Sequence, residues 1–238
     1  MRLLRVEHLK KYFDVSAGIN HAVDDVTLSI DKGKTMGVVG ESGCGKSTLG
    51  RTIIRLQNAT SGKIYLNDED ITNIKGRELR QVREKMQIVF QDPYSSLDPR
   101  RTVEDIIKEP LKESHRFSRG EIRERVEELM RITGIEDRLM LAYPHEMDGG
   151  RRQRVGIARA LALNPEFILC DEPVSALDVS IQAQVLNLLM DLQEQYGLTY
   201  MFVTHDLSVV KHISNDICVM YLGQLVEPAP SKRLFDQP

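Results

Sequence analysis

The chain has 238 residues, 41% apolar and 28% charged, with a formal net charge of −3. That is enough for one large domain, or for a domain with an inserted lobe, around a substantial core, and the slightly acidic balance argues against a general nucleic-acid binder. No apolar run reaches the roughly 18 residues that cross a bilayer, no N-terminal stretch has the pattern of a signal peptide, and three dispersed cysteines, Cys44, Cys170 and Cys218, argue against a disulfide framework or a zinc or iron–sulfur site.

Taken in order, residues 2–9 alternate weakly and predict an edge strand, with Tyr12 and Phe13 at a turn. Ala22–Ile30 alternates through Val26, Leu28 and Ile30 and predicts a second strand, closed by Asp31-Lys32-Gly33-Lys34. Thr35–Val39 is a buried strand that leads into Gly40–Thr48, and Leu49–Leu56 is the helix beyond. Gly62–Leu66 is a strand stopped by Asn67-Asp68-Glu69-Asp70, and Ile88–Phe90 is a short strand stopped by Gln91-Asp92-Pro93. Ser95–Arg101 is loop-like. From Val103 the chain is highly charged, and Ile122, Val126, Leu129 and Ile132 recur at helical spacing, so residues 92–155 predict a mostly helical lobe. Gly149 and Gly150 break that pattern before an amphipathic helix over Arg152–Leu163. Phe167–Cys170 is a continuous apolar run suited to a central parallel strand, with Cys170, like Cys218, read as a core residue. Ile181–Gln195 predicts a helix, Thr199–Val203 a buried strand, Leu207–Ile213 a helix start, and Ile217–Tyr221 with Leu225–Glu227 a hairpin across Gly223. Strands alternating with helices give an α/β fold with a mostly parallel core sheet, an N-terminal antiparallel sheet and an inserted helical subdomain, all one domain over 1–238. Its core would take 1–91 and 156–238. The chain reaches Leu234–Pro238 with no closing element in view.

Gly40–Thr48 reads G-E-S-G-C-G-K-S-T between a strand and a helix, which is the context of a phosphate loop. Gly40, Gly43 and Gly45 let the backbone turn its N–H groups toward one centre, with Ser42, Cys44 and Thr48 in the same loop. Lys46 would reach β- and γ-phosphates, the Ser47 hydroxyl would hold Mg²⁺, and the helix N-terminus adds to the anion site. Asp171 and Glu172 end the Phe167 strand, where two acidic groups need a cation or donors. Asp171 suits the water shell of Mg²⁺ and Glu172 suits polarising an attacking water; the alternative is a cap at a helix start. His205, after the next strand, is placed to contact a γ-phosphate and hold Glu172, or else merely lies beside Thr204 or Asp206 capping a helix. The Gln91 amide could reach Mg²⁺ or the attacking water.

In this order the motifs resemble the nucleotide-binding subunits of ABC transporters over nearly the whole chain. Gly40–Thr48 is similar to the Walker A motif, Phe167–Glu172 to Walker B with its catalytic glutamate, Gln91 to the Q-loop glutamine, Ser175–Asp178 to the D-loop and His205 to the switch histidine. The resemblance implies a P-loop NTPase that binds and hydrolyses ATP with Mg²⁺, with Tyr12, or alternatively Phe13, stacking on adenine. Val89–Arg100, Tyr143–Glu146 and Asp178–Gln184 are similar to segments of dipeptide, oligopeptide and nickel importers. Such subunits pair head to tail, each ATP lying between one phosphate loop and the other subunit's signature motif. They drive transmembrane permease subunits from the cytoplasmic face of the membrane, and an extracytoplasmic solute-binding protein serves the same system. No nucleic acid is implied. Leu234–Pro238 resembles the point where these proteins continue into a C-terminal region, some with an iron–sulfur cluster; neither is expected here.

The family signature is LSGGQ or close to it, and this chain reads Met147-Asp148-Gly149-Gly150-Arg151. The two glycines remain. Asp148 stands where a serine hydroxyl would donate to phosphate, and a carboxylate has no proton to donate and repels a triphosphate. Arg151 either offsets that charge or contacts phosphate itself; Asp148 is otherwise a helix cap. With Asp178, these residues are the candidate dimer contacts. The leading reading is an ATPase that powers peptide import, with a signature that impairs the other subunit's site. The alternatives are a nickel importer ATPase, a non-transport ATPase of the superfamily, or an ATP-dependent docking module with little turnover.

Overall fold

The computed structural model describes residues 1–16 and 18–236. In chain order the elements are β1 (Arg2–Val15), β2 (Gly18–Asp31), β3 (Thr35–Val39), α1 (Lys46–Ile53), β4 (Ser61–Leu66), β5 (Glu69–Asp70), α2 (Gly76–Lys85) and β6 (Met86–Val89). Then follow α3 (Val103–Glu113), α4 (Arg119–Ile132), α5 (Gly149–Leu161), β7 (Phe167–Asp171), α6 (Val179–Tyr196), β8 (Thr199–Val203), α7 (Leu207–Ile213), β9 (Asp216–Tyr221), β10 (Gln224–Pro230) and α8 (Ser231–Asp236). Short 3₁₀ turns cover Asp137–Leu139 and Pro144–Glu146.

Strands β2-β1-β4-β5 form an antiparallel sheet, and β10-β9-β3-β8-β7-β6 form the core sheet, parallel except for the β9–β10 hairpin. The α/β architecture with a separate antiparallel sheet follows the sequence pattern. The alternation of β7 and β8 explains the layering, since successive side chains in a strand leave on opposite faces. Phe167, Leu169, Met201 and Val203 pack with Leu49 and Ile53 of α1 and with Leu4, Val6 and Val26 of the antiparallel sheet. Ile168, Cys170, Tyr200 and Phe202 face the other way, into a cluster shared by α3, α4, α5 and α6. Burial on both faces is what makes these strands continuously apolar. Burial also pushes the Cys170 thiol up and the Cys218 thiol to about 12, which suits core residues.

Helix starts are set by local hydrogen bonds. Ser118 and Glu121 form a reciprocal capping box at α4. The Thr102 hydroxyl accepts from the Asp105 amide at α3, and Asp206 accepts from the Ser208 amide at α7.

Several expectations need correcting. β1 is not an edge strand: it lies between β2 and β4, and it runs on to Val15, so Tyr12 and Phe13 sit within it rather than at a turn. α2 was not anticipated: none of its residues is fully buried, and its apolar face is short, made of Leu79 and Val82, with Val82 packed against the core. Gly149 and Gly150 do not interrupt a helix but begin α5, which crosses the boundary expected at residue 155. Leu234 falls in a closing helix, α8, while Gln237 and Pro238 lie outside the described residues.

The α1–β7 contact positions everything that follows. A Cβ on Gly50 would lie 2.6 Å from Leu169 Cδ1, so helix and strand approach through the missing side chain. Leu169→Ala should destabilise by about 2–5 kcal/mol. Gly50→Ala trades overpacking against a better helix former. In a urea-unfolding double-mutant cycle the pair should show a coupling of about 1 kcal/mol, the added methyl filling part of the cavity. Zero coupling would mean that α1 does not rest on Leu169.

Candidate nucleotide site

The loop between β3 and α1 is wedged between two other backbones. Gly45 has φ 107°, and a Cβ there would lie 1.9 Å from the Ala22 carbonyl oxygen of β2. A Cβ on Gly40 would lie 2.1 Å from the Met220 carbonyl oxygen of β9. The Gly223 amide donates to the Cys44 carbonyl at 2.9 Å and fixes the loop from the β9–β10 turn. These residues are therefore glycine for packing as well as for turning. Lys46 is buried, and its ammonium donates to the carbonyls of Gly40 and Glu41, each at 2.8 Å. The first amides of an α-helix have no partner within the helix, and a helix N-terminus of this kind is the arrangement that binds anions.

On the far side stands the acidic pair. Asp171 is 1% exposed; its Oδ1 accepts from the Ser47 hydroxyl at 2.6 Å, and its Oδ2 accepts from Arg51 Nε and Nη2 at 3.2 and 2.9 Å. Sequence reasoning passed over Arg51. The signal was available: Arg51 stands four residues after Ser47, on the same helix face. Glu172 adopts the left-handed region, φ 50°, with its amide donating to Val203 of β8 at 2.9 Å. Its Oε2 accepts from Gln91 Nε2 at 3.0 Å and lies 3.2 Å from His205 Nδ1. Three residues from the ends of β6, β7 and β8 thus meet at one carboxylate oxygen. Asp206 caps α7 at the same time, so the cap does not prevent His205 from lying beside Glu172.

A cavity of about 710 Å³ is lined by Ser42–Thr48, Gln91, Glu172 and His205 together with Phe13, Asn20, His21, Ala22, Leu222 and Gly223. Tyr12 is not among the described residues that line it. Its ring stacks on His21 with centroids 4.0 Å apart, and its hydroxyl donates to Asp24. Neighbouring residues in β1 face opposite ways, and it is Phe13, with Lys11 Nζ 4.6 Å from its ring centre, that reaches the cavity. Of the two candidate aromatics, Phe13 and not Tyr12 lines the cavity.

Ser47, Asp171 and Gln91 present a hydroxyl, a carboxylate and an amide oxygen, the sparse set of hard donors that suits Mg²⁺ with water and phosphate oxygens as its remaining ligands. Among the described residues no group of three or more His, Cys, Asp or Glu could hold a metal by itself.

Asp148, Gly149, Gly150 and Arg151 lie outside this cavity, at the start of α5. Asp148 caps the helix, its carboxylate accepting from the Arg151 amide at 2.8 Å. The Arg151 guanidinium lies 3.3 Å from Asp148 and 2.8 Å from Glu136, so both charges are partnered within the chain. The two glycines have an internal reason as well: added Cβ atoms would lie 3.0 Å from Leu177 and 2.6 Å from Ile181. Asp178 precedes α6 and makes no side-chain cap.

Gly45→Ala should force the loop off β2, lowering the melting temperature and weakening nucleotide affinity by about tenfold or more. Gly43→Ala meets no atom within 4 Å and should lose only about 1 kcal/mol of backbone preference. Titration with a fluorescent nucleotide compares the two; equal effects would contradict the wedged loop.

A family model described as ABC transporter matches residues 23–175. The oligopeptide transport ATP-binding protein OppF of Bacillus subtilis (strain 168) is 54% identical over 240 residues, spanning 100% of this chain and 78% of its own length. AppF of the same organism, also an oligopeptide transport ATP-binding protein, is 52% identical over 99% of this chain and 74% of its length. The dipeptide transport ATP-binding protein DppF of Escherichia coli (strain K12) is 45% identical over 99% and 72%. Among solved structures, the dimeric ATP-binding cassette MJ0796 in a post-hydrolysis state with ADP and Pi superimposes with TM-score 0.86 at 31% identity, covering 96% of this chain and 99% of that one. With its glycine-wedged phosphate loop and its carboxylates at the strand ends, the chain belongs to the ABC transporter family, as one of its ATP-binding cassettes.

Proposed function

We propose that this chain is the ATP-hydrolysing subunit of a membrane importer of peptides, dipeptides or oligopeptides. The observation that carries the reading is the meeting of Gln91, Glu172 and His205 in a cavity that the phosphate loop also lines, with Ser47 of that loop hydrogen-bonded to buried Asp171. The relatives' names supply the substrate class. Lys46 and the loop amides of Ser42–Thr48 bind the triphosphate, and Phe13 stacks on adenine. Ser47, Asp171 and Gln91 would hold Mg²⁺, which would neutralise phosphate charge. Glu172 accepts the proton of the attacking water, and Gln91 and His205 orient its carboxylate. The cassette works at the cytoplasmic face, against permease subunits served by a solute-binding protein, and pairs with a second cassette. Among the described residues no helix is long and apolar enough to cross a membrane itself.

Asp148–Arg151 and Asp178 form the face toward that second cassette. Asp148 accepts hydrogen bonds and cannot donate one, and Arg151 is held by Asp148 and Glu136. The chain therefore holds its own ATP well and completes the other subunit's site poorly. In a heterodimer one site of two is affected; in a homodimer both are. The same feature favours a second reading, a docking module with little turnover.

Lys46→Ala should abolish tight MgATP binding, and Glu172→Gln should keep binding while lowering turnover by about 100-fold or more; retained affinity in the lysine variant would refute the phosphate-loop reading. Asp148→Ser with Arg151→Gln preserves a helix cap while removing the anion. It should raise steady-state ATPase activity roughly tenfold. Unchanged turnover with binding intact would show that the signature is not impaired.

A further inference from the structure

The β9–β10 hairpin turns through Leu222 and Gly223, with Tyr221 paired to Gln224. Both central residues have positive φ, 43° and 83°. That is the mark of a two-residue type I′ turn, where Asn-Gly is favoured and a side chain such as leucine crowds the backbone. Leu222 gains no burial in return, being 72% exposed. An apolar side chain in a disfavoured conformation, facing solvent, contributes nothing to the fold, and strain of this kind gathers at functional sites.

Its location supplies the reason. Leu222 lines the same cavity as the phosphate loop and Phe13. The turn is also fixed there from two sides. The Gly223 amide donates to Cys44 of the phosphate loop at 2.9 Å, and the Gly223 carbonyl accepts from the Asp24 amide of β2 at 2.8 Å. Gln224 Nε2 reaches Asp24 at 3.3 Å, and a Cβ on Gly223 would lie 2.5 Å from the His21 carbonyl oxygen. The turn cannot withdraw from the cavity without breaking these contacts.

We propose that Leu222 is a base-contacting residue, its side chain forming an apolar wall for the purine of the bound nucleoside triphosphate in addition to the aromatic from Phe13. The inference rests on the reading of the cavity as a nucleoside triphosphate site. The wall has no hydrogen-bonding group, so it senses the shape of the base and does not distinguish adenine from guanine.

The test is Leu222→Asn, which suits left-handed backbone but offers a polar surface. The melting temperature should rise by about 2 °C. Affinity for ATP and GTP should each fall about three- to tenfold, with affinity for inorganic tripolyphosphate unchanged. Leu222→Met should keep ATP affinity to within about twofold. Unchanged ATP affinity in the asparagine variant, or an equal loss for ATP and tripolyphosphate, would overturn the base contact. An unsubstituted protein that binds neither ATP nor tripolyphosphate would overturn the reading of the cavity itself, and the contact with it.

Discussion

Asp171 is a carboxylate with almost no access to water, and a buried anion is tolerated only where donors or a counter-charge surround it. Both of its oxygens are satisfied by one helix, through Ser47 and Arg51. The end of β7 is thus tied to the start of α1, and so to the phosphate loop. The close approach of Gly50 to Leu169 holds the same two elements together from the apolar side. Because Asp171 is fixed, the next residue must turn sharply, and Glu172 is delivered between Gln91 and His205. The loop before α1 and the Glu172 carboxylate are therefore tied together through the end of β7.

The helical layer is coupled to that unit through α5. Gln153 Nε2 donates to the Phe90 carbonyl at 3.3 Å, Arg159 donates to the Ser96 carbonyl at 2.6 Å, and the Arg152 guanidinium lies 3.6 Å from the centre of the Tyr94 ring. Burial holds the Arg159 pKa below its usual range, so its charge is costly to bury and is retained by the loop carbonyl it satisfies. The segment carrying Gln91 is consequently attached to the helix that begins at Asp148. α3 and α4 share one apolar cluster with β7, β8 and α6. A shift of this layer would act on Gln91 first, through α5.

Much of this was legible in the residues, for local physical reasons. A phosphate loop needs its glycines, lysine and hydroxyl at fixed spacing, so the sequence itself displays it. The strands Thr35–Val39 and Thr199–Val203 end where expected, because a strand buried on both faces is apolar along its whole length. What could not be read depends on distant neighbours. Whether β1 is central or at an edge is decided by β4, more than forty residues away. Choosing Phe13 over Tyr12 required the strand to continue beyond residue 9, and its weak alternation did not show that. Gly149 and Gly150 resemble a break in sequence, and only the proximity of Leu177 and Ile181 shows them as a tight helix start. α2 offers only Leu79 and Val82 on its inner face, both half-buried, so its periodic trace is too short to read.

The left-handed backbone at Glu172 has a consequence for how such a cassette changes over generations. Glycine is the residue that conformation prefers, and a glutamate codon becomes a glycine codon by a single base change. On the role proposed for Glu172, a lineage relieved of selection for turnover can drift in one step to a silent cassette whose backbone is less strained at that position, with its phosphate loop intact.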